Sequence, residues 1–468
     1  MASMSEKISA CLADGGDMLL GDDATSRSAG VWRDDSVQAT IIVRPRSTQE
    51  VSEVLRVCHE EGQSVVTHGG LTGLVNSADT TAADVVLSME RMNNIIDIDT
   101  LGRTMTVQAG VPLQQIHDVC AEHGLMFPVD LGARGSCQIG GNAATNAGGL
   151  RVIRYGMTRD NILGIEAVLA DGTILSSLNQ VLKNNAGYDL KQLFIGSEGT
   201  LGVVTQLVLR LRTELPAEHT ALVGFSDYQR VLKFLSYFDG ALAGNLSAFE
   251  VMWPDFFMHQ RAKCEVKGLE IDGDARFFAI VESLGVDHSQ EAETFGAALE
   301  GAMEEGLITD AVVAQSDNDR AAIWKIRDEV EHLFDGGEHM FFDVSLAIRS
   351  MNEYVDEVRA NLAKQSFDSQ FYSFGHLGDG NLHFCVVCKS DLAKYQPTIE
   401  ECVYQPLEPL GGSISAEHGI GLQKKAYLSL TRSDAEIAVM RTLKHAMDPK
   451  GILNPGKIFD FEGPVSIQ

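Results

Sequence analysis

Residues 130–149 read DLGARGSCQIGGNAATNAGG, and the reading of this stretch decides the architecture. Six glycines stand among Ser136, Asn142, Thr145 and Asn146, so the backbone is bare of β-carbons yet flanked by hydrogen-bonding groups. That is the chemistry of a surface something approaches closely. A second loop of the same kind, HGGLTGLV at 68–75, follows the strand-like run SVVTH, and Gly69, Gly70 and Gly73 let their amides turn toward an anion such as a diphosphate. Ordinary turns account for one such loop; two together point to a bound cofactor. Neither has G-x-G-x-x-G between strand and helix with an acidic residue after it, which disfavours NAD.

Working outward, Ser47 and Glu50 have capping-box spacing, Val51, Val54, Leu55 and Cys58 recur at helical intervals, and Gly62 ends the helix. DVVLSM, IIDIDT and TMTVQAG read as strands, residues 112–123 as a helix, and IEAVLADGTIL and GTLGVVTQLVLRL as further strands. This predicts an α+β unit over 1–213, with TELPAEH as the linker. Beyond it HTALVGF, ARFFAIVES and MFFDVSL read as strands, and Tyr228–Phe238, Gln290–Glu305 and Met351–Lys364 as helices. The expectation is an antiparallel sheet covered by helices over 214–430, and a tail over 431–468, with DPKGILNPGKIF, packing back on the first domain.

A formal charge of −28 argues against nucleic acid and anionic membrane surfaces as partners. No apolar run reaches the roughly 18 residues of a membrane span and no secretory leader pattern opens the chain, so a cytoplasmic protein is expected. The eight cysteines form no dense framework and read as free thiols. Cys385 and Cys388 have CxxC spacing, but on a strand they face opposite sides.

A second constellation lies far downstream. FGHLGDGNLHF holds His376 and His383, which a turn at Gly-Asp-Gly-Asn brings to one side, and GGSISAEHGIG offers Glu417 and His418. Two histidines and a carboxylate make a three-ligand site suited to zinc or another divalent ion acting as a Lewis acid. Taken singly, each histidine is more often a satisfied core or surface group than a ligand; it is their joint occurrence in glycine-flanked, apolar segments that favours a site.

HGGLTGLV, DLGARGSCQIGGNAATNAGG, RYGMTRDNILGIEAVLADGT, KNNAGYDLKQLFIGSEGTLGVVT and NPGKI closely resemble the D-2-hydroxyglutarate and D-lactate dehydrogenases of the vanillyl-alcohol-oxidase superfamily, over about Val43 to Phe459. The resemblance implies a two-part FAD-binding domain of the vanillyl-alcohol-oxidase/p-cresol methylhydroxylase type with an antiparallel-sheet cap domain for substrate. It assigns FAD contacts to Gly69, Gly70, Leu71, Thr72, Gly73 and Leu74 in one loop. In the other it assigns them to Gly135, Ser136, Ile139, Gly140, Asn142, Thr145, Asn146 and Gly149, with Glu198, Gly199, Val204 and Asn454 along the same cofactor. Relatives with covalent flavin carry a histidine directly after the paired glycines; Leu71 stands there, so FAD is expected to be non-covalent and His68 to be a packing or diphosphate-side residue.

The resemblance also makes His376, His383 and Glu417 metal ligands and His418 the base, with Asn381 orienting the turn or the substrate. Arg327, in IWKIRDEV, is the candidate for the substrate carboxylate because a guanidinium offers two parallel donors. On this reading the metal lowers the substrate hydroxyl's pKa, neutral His418 takes the proton, and hydride goes to flavin N5, leaving a 2-oxo acid; a carbanion route uses the same residues. Enzymes for D-2-hydroxyglutarate carry a lysine where this chain has Phe341 and an asparagine where it has Cys385. An unpartnered second carboxylate there costs several kcal/mol, roughly. The expected substrate is therefore a D-2-hydroxy acid with an apolar side chain, from D-lactate to D-mandelate, with D-2-hydroxyglutarate the alternative. A metal hydrolase leaves the glycine loops unexplained, and a passive flavin subunit of a larger complex leaves the histidines unexplained. The electron acceptor, an electron-transfer flavoprotein or a quinone, and assembly as a homodimer are expectations that no single residue carries.

Overall fold

The computed structural model describes residues 2–13, 17–266, 268–271 and 274–461. It divides into two compact units, one of Met1–Gly149, Gly156–Glu214 and Glu417–Gln468, the other of Leu150–Tyr155 and Leu215–Ala416.

In the first unit, strands Met18–Leu20, Ile41–Val43, Val85–Ser88 and Val65–His68 form a sheet in that order, the last three parallel. The aliphatic residues Ile42, Val43, Val65, Val66, Val85, Val86 and Leu87 of the three parallel strands are buried, as suits strands covered on both faces. Helix Thr48–Glu61 lies in the same core through Val51, Val54, Leu55 and Cys58. The Ser47 hydroxyl caps the amide of Glu50 and Gly62 ends the helix in the left-handed region at φ 68°. The expected reciprocal box is not made, because the Glu50 carboxylate accepts the Arg46 amide at 2.6 Å instead. A five-stranded antiparallel sheet runs Ile95–Asp99, Thr104–Gln108, Val203–Arg210, Ile162–Val168, Ile174–Ser177.

The C-terminal tail continues the first sheet. Val65 donates to Ile452 O and Asn454 donates to Val65 O, both at 2.8 Å. Behind it the buried Lys444 ammonium bonds Asp448, Thr200 O and Leu453 O, three acceptors that satisfy all three of its hydrogens. The return to this unit begins at Glu417 rather than at 431, because the backbone of Ile420, Gly421 and Leu422 is already fastened there by Glu198 and Val75.

The second unit is built on one seven-stranded antiparallel sheet. Its order is Asp310–Val313, Ala217–Phe225, Phe277–Gly285, Leu246–Met252, Ser369–His376, Asn381–Cys388, Glu338–Ser345. The linker TELPAEH is shorter than expected, since Ala217 already pairs with Gly285. Helices Tyr228–Ala241, His288–Glu304 and Met351–Ala363 occupy the positions their periodicity predicts. Helices Pro254–Lys263 and Asp317–Asp328 are additional, and their apolar residues are too few or too closely bunched for a helical stripe to show. Phe256 stacks on Phe374 at 4.1 Å and Phe257 on Phe278 at 3.7 Å, which seats Pro254–Lys263 against the sheet. Burial of one such ring contributes roughly 1.5–3 kcal/mol.

Candidate active site

The two glycine loops of the first unit meet each other. A β-carbon at Gly70 would lie 2.0 Å from Ser136 O, so only glycine permits this approach. By contrast, a β-carbon at Gly135 or Gly141 would meet nothing within 4 Å, which leaves room alongside the backbone there. Ser136, beside Gly135 in the chain, is exposed. The buried Gln138 Oε1 and Asn142 Oδ1 have no hydrogen-bond partner among the described residues. Buried polar atoms are normally paired, so bare glycine backbone with two waiting acceptors fits a cofactor that brings its own donors and phosphates. FAD fits these residues. His68 is a packing residue: its Nε2 meets Ala78 O at 2.8 Å, and burial holds its pKa down to about 4.

Three residues expected along the cofactor have their side chains engaged within the protein. The Asn454 Oδ1 accepts the Thr67 amide and its Nδ2 donates to Glu198 O. The Asn146 Oδ1 accepts the Arg159 amide. Glu198, at φ 51°, accepts the amides of Ile420 and Gly421 at 2.7 and 2.9 Å. Burial pushes its carboxyl up, with those two amides and Lys424 opposing. These groups brace the pocket walls, and for Glu198 and Asn454 the sequence carries no signal of that use because their partners are over 200 residues away.

The second unit brings both histidines to one face. Strand Ser369–His376 turns through Leu377–Asp379 and Gly380, at φ 86°, into strand Asn381–Cys388. Phe374 pairs with His383, so His376, two residues on, shares its side of the sheet. The rings stand edge to face with centroids 5.1 Å apart. His383 Nδ1 is 3.9 Å from Asp343 Oδ1, and the other Asp343 oxygen accepts the Ala416 amide at 3.0 Å. Glu417 and His418 are the next two residues of the chain. They belong to the first unit, not to a cap domain reaching 430, and Glu417 Oε1 accepts the Gly149 amide at 2.6 Å, at the end of the 130–149 loop.

Directly opposite His376 on the neighbouring strand stands Glu250, a residue the sequence reading missed. Its carboxylate is fully buried and accepts from His376 Nδ1 and from Arg327 Nε, the latter at 2.8 Å. Burial alone would raise its carboxyl, but the imidazole and guanidinium outweigh that and hold it down at about 2. Arg327 is itself buried, on helix Asp317–Asp328, with its guanidinium carbon 4.7 Å from the Phe374 ring centroid. A fixed cation in a largely apolar surround suits a carboxylate ligand.

Asn381 shares its face of the strand with His383, and both its amide atoms are buried without a partner among the described residues. Such a group is costly unless a ligand completes it. Cys385, next along the same face, lies between Phe341 and Tyr372 in the ladder. Its thiol is fully buried and burial pushes its pKa up, while Phe341 stands edge to face on Phe334. Cys388 falls on the opposite face, and no disulfide is present among the described residues.

Residues 39–177 match the family model described as "FAD binding domain", and residues 215–458 the one described as "FAD linked oxidases, C-terminal domain". The chain is 40% identical over 434 residues to a protein of Xanthomonas citri pv. viticola named D-2-hydroxyglutarate dehydrogenase, covering 91% of this chain and 90% of that one. It is 37% identical to the mitochondrial D-2-hydroxyglutarate dehydrogenase of Bos taurus, covering 89% and 76%. It is also 37% identical to a protein of Schizosaccharomyces pombe named as a mitochondrial D-lactate dehydrogenase, covering 89% and 81%. Among solved structures, p-cresol methylhydroxylase superposes with a TM-score of 0.74 at 16% identity, covering 98% of this chain and 96% of that one, a likeness of fold.

Proposed function

The chain belongs to the FAD-linked D-2-hydroxy acid dehydrogenases of the vanillyl-alcohol-oxidase superfamily, and from that membership we propose how its own residues carry the oxidation. The supporting observation is the buried row Arg327, Glu250, His376, which sets a carboxylate-binding cation beside a histidine pair. In this reading Arg327 takes the carboxylate of the 2-hydroxy acid through its terminal nitrogens, since its Nε is held by Glu250. His376, His383 and Glu417 hold a divalent cation, zinc being the ion this N/O donor set suits. When bound, that cation supplies Lewis acidity at the substrate hydroxyl, and FAD supplies the two-electron acceptor. His418 removes the hydroxyl proton, and Asn381 completes the polar wall of the pocket. Location in the cytoplasm and onward transfer of electrons to an electron-transfer flavoprotein or a quinone belong to the same proposal.

Two supports pull apart on the acid itself. The names of the relatives weigh toward D-2-hydroxyglutarate, which is thereby the better supported substrate, above the apolar monocarboxylate that the sequence reading put first. The second reading, D-lactate to D-mandelate, is kept for one observation: Phe341 and Cys385 face each other, an apolar pair at the places where the family resemblance leads one to expect lysine and asparagine for a dicarboxylate. Anaerobic addition of each acid to the purified yellow protein decides. Bleaching of the flavin band by one of the three supports the oxidation and identifies its substrate class; bleaching by none rejects it.

A further inference from the structure

Glu250 stands at the middle of strand Leu246–Met252, on a face it shares with Ala248 and Met252, and no part of it reaches solvent. A lone carboxylate at such a place is strongly disfavoured. One of its oxygens takes His376 Nδ1 and the other takes Arg327 Nε. Buried ion pairs are weak sources of stability, since apolar residues of similar volume commonly serve the fold as well. What an apolar residue cannot do is orient two donors at once.

We propose that Glu250 is a positioning residue that sets the metal-holding face of His376 and the carboxylate-binding fork of Arg327 together. The inference rests on the function proposed above. With Nδ1 donating to Glu250, Nε2 is the ring nitrogen His376 has left to offer a cation, and the contact fixes the ring's orientation. With Nε occupied, the guanidinium plane can turn only about that bond, and the Phe374 ring beside it limits the turn. The two terminal nitrogens are thereby directed away from Glu250, and no described group is bonded to them. A glutamine at 250 would not serve both partners, because its amide has one acceptor oxygen and its NH2 would meet a donor.

The test uses the full FAD-loaded protein and its Glu250→Gln variant. Equilibrium dialysis against Zn2+ without substrate gives metal affinity, and steady-state kinetics with whichever acid bleaches the wild-type flavin gives KM and kcat. Glu250→Gln is expected to bind Zn2+ about 10- to 100-fold more weakly, with KM raised by about tenfold or more and the FAD-to-protein ratio unchanged. Arg327→Lys, by comparison, is expected to raise KM while leaving Zn2+ affinity within about twofold, which separates the two arms of the carboxylate. Should Glu250→Gln not fold, Glu250→Leu with Arg327→Met removes the buried charge and its partner together, and the same loss of Zn2+ affinity is expected. Unaltered Zn2+ affinity in a folded Glu250 variant overturns the proposal. So does wild-type protein that bleaches with an acid but retains no Zn2+, although the oxidation then stands. Wild-type protein that binds Zn2+ yet bleaches with none of the acids rejects the oxidation, and the dialysis comparison still decides on Glu250.

Discussion

Glu198 Oε1 accepts the amide of Ile420 at 2.7 Å, two residues beyond His418 in the chain. With Gly421 on the other oxygen, the segment that carries the proposed base is fastened to the residue that precedes Gly199. Left unsatisfied, the buried Gly421 amide costs about 1–3 kcal/mol, and the half-buried Ile420 amide less. Glu198→Ala is therefore expected to lower the melting temperature by several degrees and kcat by about tenfold or more, with Glu198→Gln in between because one acceptor survives. A thermal melt paired with single-turnover flavin reduction checks this.

Gly70 has no room for a methyl group, since Ser136 O would lie 2.0 Å from it. Gly70→Ala is expected to push the two loops apart at a cost of about 1–3 kcal/mol and to yield protein largely stripped of FAD. The ratio of visible to ultraviolet absorbance after purification measures the loss; full retention of FAD would show that the loops can part without disturbing the cofactor.

Leu71 follows the glycine pair, so no imidazole is available there to link to the flavin. Acid precipitation of the wild-type protein is expected to leave the yellow cofactor in the supernatant. A coloured pellet would mean a covalent bond formed elsewhere.

Phe341 and Cys385 sit opposite each other on adjacent strands. Phe341→Lys with Cys385→Asn introduces a cation and an amide at that pair. The ratio of kcat/KM for D-2-hydroxyglutarate over D-mandelate is expected to rise by about tenfold or more relative to wild type, whichever acid the wild type prefers. An unchanged ratio would place the substrate's distal end elsewhere.

His68 carries its pKa at about 4 in the folded chain against an ordinary 6.5. The folded state then binds fewer protons than the unfolded state between those values, so stability falls as pH drops from about 6.5 to about 4, by on the order of 3 kcal/mol from this residue. Above that window its contribution is complete. His68→Gln, which keeps a donor for Ala78 O, is expected to flatten this part of the curve in urea unfolding measured across pH.

Much of this was legible in the residues themselves, for a local reason. Glycines clustered with small polar residues, a hydroxyl three residues before a capped amide, or two histidines on either side of a Gly-Asp-Gly-Asn turn are patterns that residues close in the chain make together. The loops at 68–75 and 130–149, the helix after Ser47 and the turn joining His376 to His383 follow from such patterns. Glu250 did not announce itself: in LSAFEVM it reads as one acidic residue in an apolar strand, with nothing nearby to say whether it points to water or to a partner. Its role depends on strand Leu246–Met252 pairing with Ser369–His376 and on helix Asp317–Asp328 lying over them, pairings between residues 77 and 126 positions apart. The same holds for Glu198 and its amides at 420 and 421. A buried carboxylate is defined by what surrounds it, and only the folded chain supplies those surroundings.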